Sequence, residues 1–101
     1  MFYAYVQDVP IEEDLYRQII AALGPEPLAG QLLHLCVRQP GGGLRYVDLW
    51  ESEAACAAAF QERIHPAVDA AFGGSRPSGE PTVKHLDLLH VSGSLLEETW
   101  S

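Results

Sequence analysis

The chain has 101 residues, 48% of them hydrophobic and 20% charged, which is the composition of one globular domain and excludes a disordered chain. Its 14 acidic and 6 basic residues give a formal net charge of −8, which argues against binding to nucleic-acid phosphates and to anionic membrane surfaces. No apolar run reaches the ~20 residues of a membrane helix, and residues 1–10 resemble a strand and not a signal peptide.

The N-terminal part of the chain predicts a strand followed by a helix. Residues 2–9 are rich in aromatic and β-branched side chains and end at Pro10, as a strand does. Over residues 11–23 an apolar side chain recurs every four positions, and acidic residues occupy the first turn, where the helix dipole favours them. Gly24 and Pro25 then end the helix.

The middle of the chain predicts a β-hairpin. Two β-rich runs, 31–39 and 44–51, flank residues 40–43, which are one proline and three glycines. The length of this turn leaves the register of the two strands open by one position. A shift of one residue would change which side chains share a face of the sheet.

A second helix and a last strand follow the hairpin. Ser52 is a suitable N-cap for an alanine-rich helix. Because Pro66 lacks a backbone N–H, this helix is expected to kink or begin again just before it and to continue through Phe72. Residues 73–81 then predict a loop, and residues 82–91 predict the last strand.

The order β-α-β-β-α-β predicts an α+β, ferredoxin-like fold, with a four-stranded antiparallel sheet carrying both helices on one face. We assign residues 1–92 to this domain and residues 93–101 to a C-terminal tail. Neither face of the predicted sheet is wholly polar, as a solvated face would be. The helices cover one face, so we predict that a second subunit covers the other in a homodimer.

One face of the predicted sheet combines polar and aromatic side chains. Its polar members are His34, Asp48, His85 and Asp87. Two interpretations stay open. The face is either a hydrogen-bonded network in a dimer interface or a ligand pocket with convergent polar groups.

The cysteines indicate neither a disulfide framework nor a metal site. Cys36 and Cys56 fall in predicted regular elements and are interpreted as buried thiols, so we predict a cytoplasmic protein. His34 and Cys36 share a strand face, but the sequence does not supply the full ligand set that zinc needs, and we predict no metal.

Three segments resemble the antibiotic-biosynthesis monooxygenase-like group of the dimeric α+β barrel superfamily. They are DVP at residues 8–10, YVDLWESEAA at 46–55 and HPAV at 65–68. The resemblance covers residues 1–92 and implies protomers that pair through their sheets, each with a ligand cleft between its sheet and its helices. The group includes cofactor-independent oxygenases of aromatic polyketides, haem-degrading enzymes and polyketide cyclases.

The haem-degrading branch of this group can be excluded. That branch has an Asn on the first strand, followed by a Trp and then a His on the second helix. The corresponding positions of this chain hold Tyr5, Phe60 and either Asp69 or Ala70. The Asn, the Trp and the iron-ligating His that this branch uses are therefore missing.

The resemblance implies that the protein binds a small aromatic or polyketide-like molecule, and that it acts, if it is an oxygenase, without a metal, flavin or other cofactor. Deprotonation of a phenol gives an electron-rich phenolate that reacts with oxygen directly. His65 is the candidate general base, and Tyr5 and Trp50 are further catalytic candidates. The candidate substrate contacts are Gln7, His34, Tyr46 and Phe60.

Other functions and other roles for these residues stay open. The protein could be a polyketide cyclase or isomerase that uses the same cleft without oxygen, or a non-catalytic ligand-binding or accessory dimer. His65 could be an exposed residue before a proline, Trp50 a structural plug against the second helix, and Tyr5 a core residue. A cleft filled by Tyr5, Trp50 and Phe60 would favour the non-catalytic function.

Overall fold

The computed structural model describes residues 2–73 and 82–93, together with the backbone of residues 96–100. The first half of the chain contains β1 (Tyr3–Val9), α1 (Glu13–Leu23), β2 (Gln31–Arg38) and β3 (Leu44–Trp50). The second half contains α2 (Glu53–Ala59), a π-helical turn (Phe60–Ile64), α3 (His65–Phe72), β4 (Thr82–Leu86), β5 (His90–Gly93) and β6 (Leu96–Trp100). The loop predicted over 73–81 lies, from residue 74 onward, outside the described residues. Up to β4 the order is the predicted α+β, ferredoxin-like one.

α1 begins and ends where local chemistry predicts. Glu13 and Asp14 occupy its first turn, close to the positive end of the helix dipole. At its other end Gly24 has a φ of 88°, which side chains disfavour, and its N–H donates to the carbonyl of Ile20. Ile19 is buried against the sheet, so the apolar stripe of the helix faces inward as its periodicity predicts.

The second predicted helix is divided by one π-helical turn. Ser52 caps α2 by accepting a hydrogen bond from the N–H of Ala55 at 3.1 Å. The backbone N–H of His65 donates to the carbonyl of Phe60, five residues earlier, and α3 starts at His65, directly before Pro66. The expected restart before the proline is thus confirmed. Among the described residues, no helix is both long and apolar enough to span a membrane.

The four-stranded sheet is antiparallel, and its strands lie in the order β2-β3-β1-β4. His34 lies opposite Asp48 and Cys36 lies opposite Tyr46, which resolves the register that the hairpin turn left open. These residues point toward the helices, on the inner face of the sheet. A register shift between Gln31 and Leu33 marks a bulge at the start of β2.

The last strand differs from its prediction. Instead of one strand over 82–91, β4 ends at Leu86, residues 87–89 leave the sheet, and β5 begins at His90. The break lets Val91 pack against Ala4 and Leu49, on the face opposite to the helices, where simple alternation from β4 would not place it. The boundary at residue 93 stays a prediction, but the backbone of β6, inside the assigned tail, pairs with β5.

The outer face of the sheet, opposite to the helices, exposes several large apolar side chains among the described residues, beside the Asp8–Arg45 ion pair near the end of β1. Leu33, Leu35 and Val37 on β2 and Leu86 on β4 are between 41% and 47% exposed. The segment that contains Val91 covers only part of this face. The outer face is therefore the surface for which the sequence predicts a second subunit.

Candidate functional site

A cleft of about 540 Å³ lies between the inner face of the sheet and the helices. This volume falls within the range of about 300–1,000 Å³ that small-molecule sites occupy. The strands contribute its floor, formed by Tyr5, Gln7, His34, Tyr46, Asp48 and Trp50. The helices contribute an apolar roof, formed by Ile19, Ile20, Leu23, Ile64, Val68 and Phe72.

The structure brings all the candidate residues of the sequence to this one cleft. They are Tyr5, Gln7, His34, Tyr46, Trp50, Phe60 and His65. Of the polar face that was open to two interpretations, His34 and Asp48 line the cleft. His85 instead lies on β4, with its ring 5.3 Å from that of Tyr3, and Asp87 lies beyond the end of that strand. The chemical roles of the candidates stay predictions.

The strongest polar feature of the cleft is a hydrogen-bonded chain of three side chains. His34 Nδ1 lies 2.6 Å from Asp48 Oδ1, and His34 Nε2 lies 2.8 Å from the hydroxyl of Tyr16. Asp48 is 3% exposed and also accepts from Gln31 Nε2 at 3.2 Å. Because a carboxylate oxygen accepts, the neutral imidazole that fits this chain carries its proton on Nδ1 and accepts from the Tyr16 hydroxyl at Nε2.

Strand register and helix periodicity together build this chain. His34 and Asp48 are directly opposite each other on β2 and β3, so their side chains meet on the inner face. Tyr16 comes from α1, four residues before Ile20 and seven before Leu23, which also line the cleft. Tyr16 was not predicted from the sequence, because the apolar positions considered in α1 were those in line with Ile19. Its spacing of four residues from Ile20 could have indicated that Tyr16 faces the cleft.

Aromatic rings surround His34. The rings of Tyr16 and Tyr46 lie with centroids 6.2 Å and 5.3 Å from the His34 ring, and the Tyr16 ring is within 16° of parallel to it. Burial is the main cause that raises the pKa of Tyr16 to about 12, and burial also raises the pKa of Tyr46. Both phenols therefore keep their protons at neutral pH and are able to donate a hydrogen bond.

Tyr5 and Trp50 form the packed end of the cleft. Trp50 is completely buried, and its indole N–H donates to the hydroxyl of Tyr5 at 3.3 Å. Burial is the main cause that raises the pKa of Tyr5, and the charge of Asp48 raises it further. Cys56 packs against both residues. This end of the cleft is continuous with the hydrophobic core.

His65 lies at the exposed end of the cleft. The π-helical turn places its ring edge-on against Phe60, with centroids 5.6 Å apart. In the described parts of the chain no carboxylate is within ion-pair distance of His65, whereas Asp48 holds His34. The same turn carries Arg63. Its guanidinium donates to the backbone carbonyls of Leu23, at the end of α1, and of two residues in the loop that follows, and so holds that wall of the cleft.

Comparison with known proteins adds to this geometry. No protein-family model and no curated protein matches the chain. Solved structures do match. A Caulobacter crescentus protein assigned as an antibiotic biosynthesis monooxygenase has 18% identity and a TM-score of 0.66, over 87% of this chain and 90% of that one. Another antibiotic biosynthesis monooxygenase has 17% identity and a TM-score of 0.62, over 88% and 99%.

A Nitrosomonas europaea protein of unknown function is also similar, with 17% identity and a TM-score of 0.60, over 90% of this chain and 91% of that one. The chain has the fold of the antibiotic-biosynthesis monooxygenases. This finding confirms the resemblance that residues 46–55 suggested. At these identities the likeness concerns the fold alone.

Within this antibiotic-biosynthesis monooxygenase fold, the cleft of the present chain has a marked charge bias. The described residues that line it include two acidic side chains, Glu26 and Asp48, and neither lysine nor arginine. Charged ligands prefer sites of opposite sign, and a low-dielectric cleft strengthens that preference. The cleft therefore suits an uncharged molecule better than an anion.

Proposed function

We propose that this protein binds a small, uncharged aromatic molecule with a phenolic or enolic hydroxyl group, and that His34 deprotonates it to start a cofactor-independent reaction with oxygen. The observation that carries the proposal is the His34–Asp48 pair, held at 2.6 Å on the floor of an otherwise apolar and aromatic cleft. A buried carboxylate that holds one imidazole nitrogen makes the other nitrogen the position that takes up a proton.

Asp48 has two roles in this step. It orients the imidazole of His34 through Nδ1, and its charge stabilises the imidazolium that forms when Nε2 accepts a proton. His65 was the base predicted from the sequence, and it remains the competing candidate. The geometry favours His34, because His65 is exposed and has an aromatic ring and not a carboxylate as its neighbour.

Oxygen chemistry without a cofactor requires that the substrate supplies the electrons. Once His34 has taken the hydroxyl proton, the conjugated anion is electron-rich enough to react with oxygen at a ring carbon. For a methylene in the same conjugated system, the overall change is CH2 plus O2 to C=O plus H2O. One oxygen atom enters the product, the other leaves as water, and no external reductant is needed.

The cyclase or isomerase is the second candidate, and a specific observation favours it. The phenols of Tyr16 and Tyr46 are donors next to the proposed base, so they could stabilise the oxygen of an enolate. Such a reaction would use the same proton abstraction and would consume no oxygen. The non-catalytic alternative loses its main argument, because Tyr5, Trp50 and Phe60 line the cleft without filling it.

Oxygen uptake tests the proposed reaction. We expect uptake, without added metal or flavin, from a hydroxyanthrone, which has a phenol and a methylene in one conjugated system. A carboxylated analogue should bind at least about tenfold more weakly because of Glu26 and Asp48. Conversion without oxygen uptake would support the isomerase instead, and binding without conversion would support the non-catalytic function.

We also propose that the protein is a homodimer that pairs through the outer face of its sheet. The exposed Leu33, Leu35 and Val37 support this, because a row of large apolar side chains on one face is typical of an interface. The resemblance described above implies that two protomers pair through their sheets, and such pairing would use this same outer face.

Light scattering at micromolar concentration tests this dimer. The unmodified protein is expected at twice the mass of the chain, and Leu35→Glu is expected as a monomer, because the change buries a charge within the row of apolar side chains that β2 contributes to the proposed interface. Ala58→Glu, at an exposed position of α2, adds the same charge elsewhere and should stay dimeric. A monomeric unmodified protein would contradict the proposal.

A further inference from the structure

The proposed base is engaged by a phenol of the chain itself. The Tyr16 hydroxyl lies 2.8 Å from His34 Nε2. The other imidazole nitrogen is held by Asp48, so Nε2 is the single position at which His34 can accept a proton. A substrate hydroxyl that is to be deprotonated by His34 must therefore take the place that Tyr16 occupies.

We infer that Tyr16 is a specificity-determining residue, and that the ligand of the cleft is a phenol or enol that replaces the Tyr16 hydroxyl on His34. This inference rests on the proposed role of His34. Ethers, ketones and hydrocarbons have no proton to donate to Nε2, so they leave Tyr16 in place. Hydroxyl compounds that donate more strongly than a tyrosine phenol are favoured, because they exchange one hydrogen bond for a better one.

The structure provides space for the displaced ring. Tyr16 lines the cleft and also lines a second cavity of about 710 Å³, which lies outside the cleft between α1 and β2. Ile20 likewise lines both cavities, whereas Cys36 and Leu44 line the second one only. Tyr16 is thus part of the wall between the two spaces, and the inferred displacement moves its ring toward the second one.

The second cavity is also chemically suitable for the displaced side chain. Its lining includes the apolar side chains of Ile20 and Leu44, which suit the ring of Tyr16, beside the ion-paired Glu13, Arg17 and Arg38. Cys36 also lines the second cavity and presents a polar thiol on that side. When the ring moves outward, the floor around His34 becomes accessible from the gap between α1 and β2.

Equilibrium binding under nitrogen, measured by calorimetry, tests the inference without turnover. The probes are 1-naphthol and 1-methoxynaphthalene, which differ in the hydroxyl proton. Tyr16→Phe removes the competing hydroxyl but keeps the ring, so 1-naphthol should bind about three- to tenfold more tightly, as the loss of one neutral hydrogen bond predicts. The affinity for 1-methoxynaphthalene should stay within about twofold. Tyr46→Phe, which removes a phenol not bonded to His34, should give no gain.

Each other outcome has a definite meaning. If 1-naphthol binds the unmodified protein, and Tyr16→Phe binds it equally or more weakly, the inference is wrong while the proposed function stands. An equal gain in Tyr46→Phe would overturn it as well. If neither protein binds 1-naphthol, the proposed function fails together with the inference. In the unmodified protein, the NMR signals of the Tyr16 ring should move when 1-naphthol binds, and unchanged signals would contradict the displacement.

Discussion

Replacing His34 with glutamine is expected to lower kcat by at least about a hundredfold, because a positioned general base contributes about 10²–10⁴ to the rate. Glutamine retains a similar length and polarity but accepts no proton at neutral pH. The measurement is oxygen uptake at saturating hydroxyanthrone, with ligand binding measured separately. A loss of kcat with little change in affinity would place the effect on the chemical step and not on binding.

His65→Gln is the matched control for this substitution. Both histidines line the same cleft, but only His34 has the buried Asp48 as its partner. We expect His65→Gln to retain kcat within a few-fold and to affect chiefly the Michaelis constant, because His65 lies at the exposed end of the cleft. The reverse result, an inactive His65→Gln and an active His34→Gln, would identify His65 as the general base, as the sequence suggested.

The buried carboxylate of Asp48 affects the stability of the folded protein as well as the proposed reaction. Removing a charge from water is costly unless hydrogen bonds replace the lost hydration. His34 and Gln31 both donate to Oδ1 of Asp48 and so replace part of its lost hydration. Both donors also line the cleft. Substitution of His34 therefore removes a stabilising partner as well as a base, and the folded fraction of His34→Gln should be measured before its rate is interpreted.

Sequence periodicity was sufficient for most of the fold. The four-residue stripe of α1, the N-cap Ser52 and the restart before Pro66 depend on local rules, and the structure follows them. The break after Leu86 could not be foreseen, because the residues that follow it continue a pattern compatible with a strand. The chain leaves the sheet there because Val91 is buried on the outer face, and that packing depends on the whole fold.

The cleft was predictable as a set of residue types but not as a geometry. Alternation along the strands placed His34 and Asp48 on one face, yet their hydrogen bond depends on a register that the hairpin turn does not specify. Tyr16 comes from a different element, and only the packing of α1 over β2 brings its hydroxyl to His34. Local sequence patterns do not specify such contacts between elements that are distant in the sequence.

Replacing Trp50 with alanine is expected to lower the free energy of unfolding by about 3–5 kcal/mol, as large-to-small substitutions of buried aromatic residues do. Trp50 is completely buried and packs with Tyr5, Leu28 and Cys56 in one core cluster. A domain of this size has a total stability of about 5–15 kcal/mol, so the variant would retain only part of it. Urea denaturation at matched protein concentration measures the change, since a dimer's apparent stability depends on concentration.

Trp50→Phe separates packing from chemistry at this position. Phenylalanine keeps most of the apolar volume but loses the N–H that donates to the Tyr5 hydroxyl, so the expected loss of stability is about 1–2 kcal/mol. If Trp50 is chiefly a core residue, Trp50→Phe should remain active once its folded fraction is taken into account. A stable but inactive Trp50→Phe would instead assign Trp50 the catalytic role that the sequence suggested, because the indole N–H would then be needed for the reaction and not for the fold.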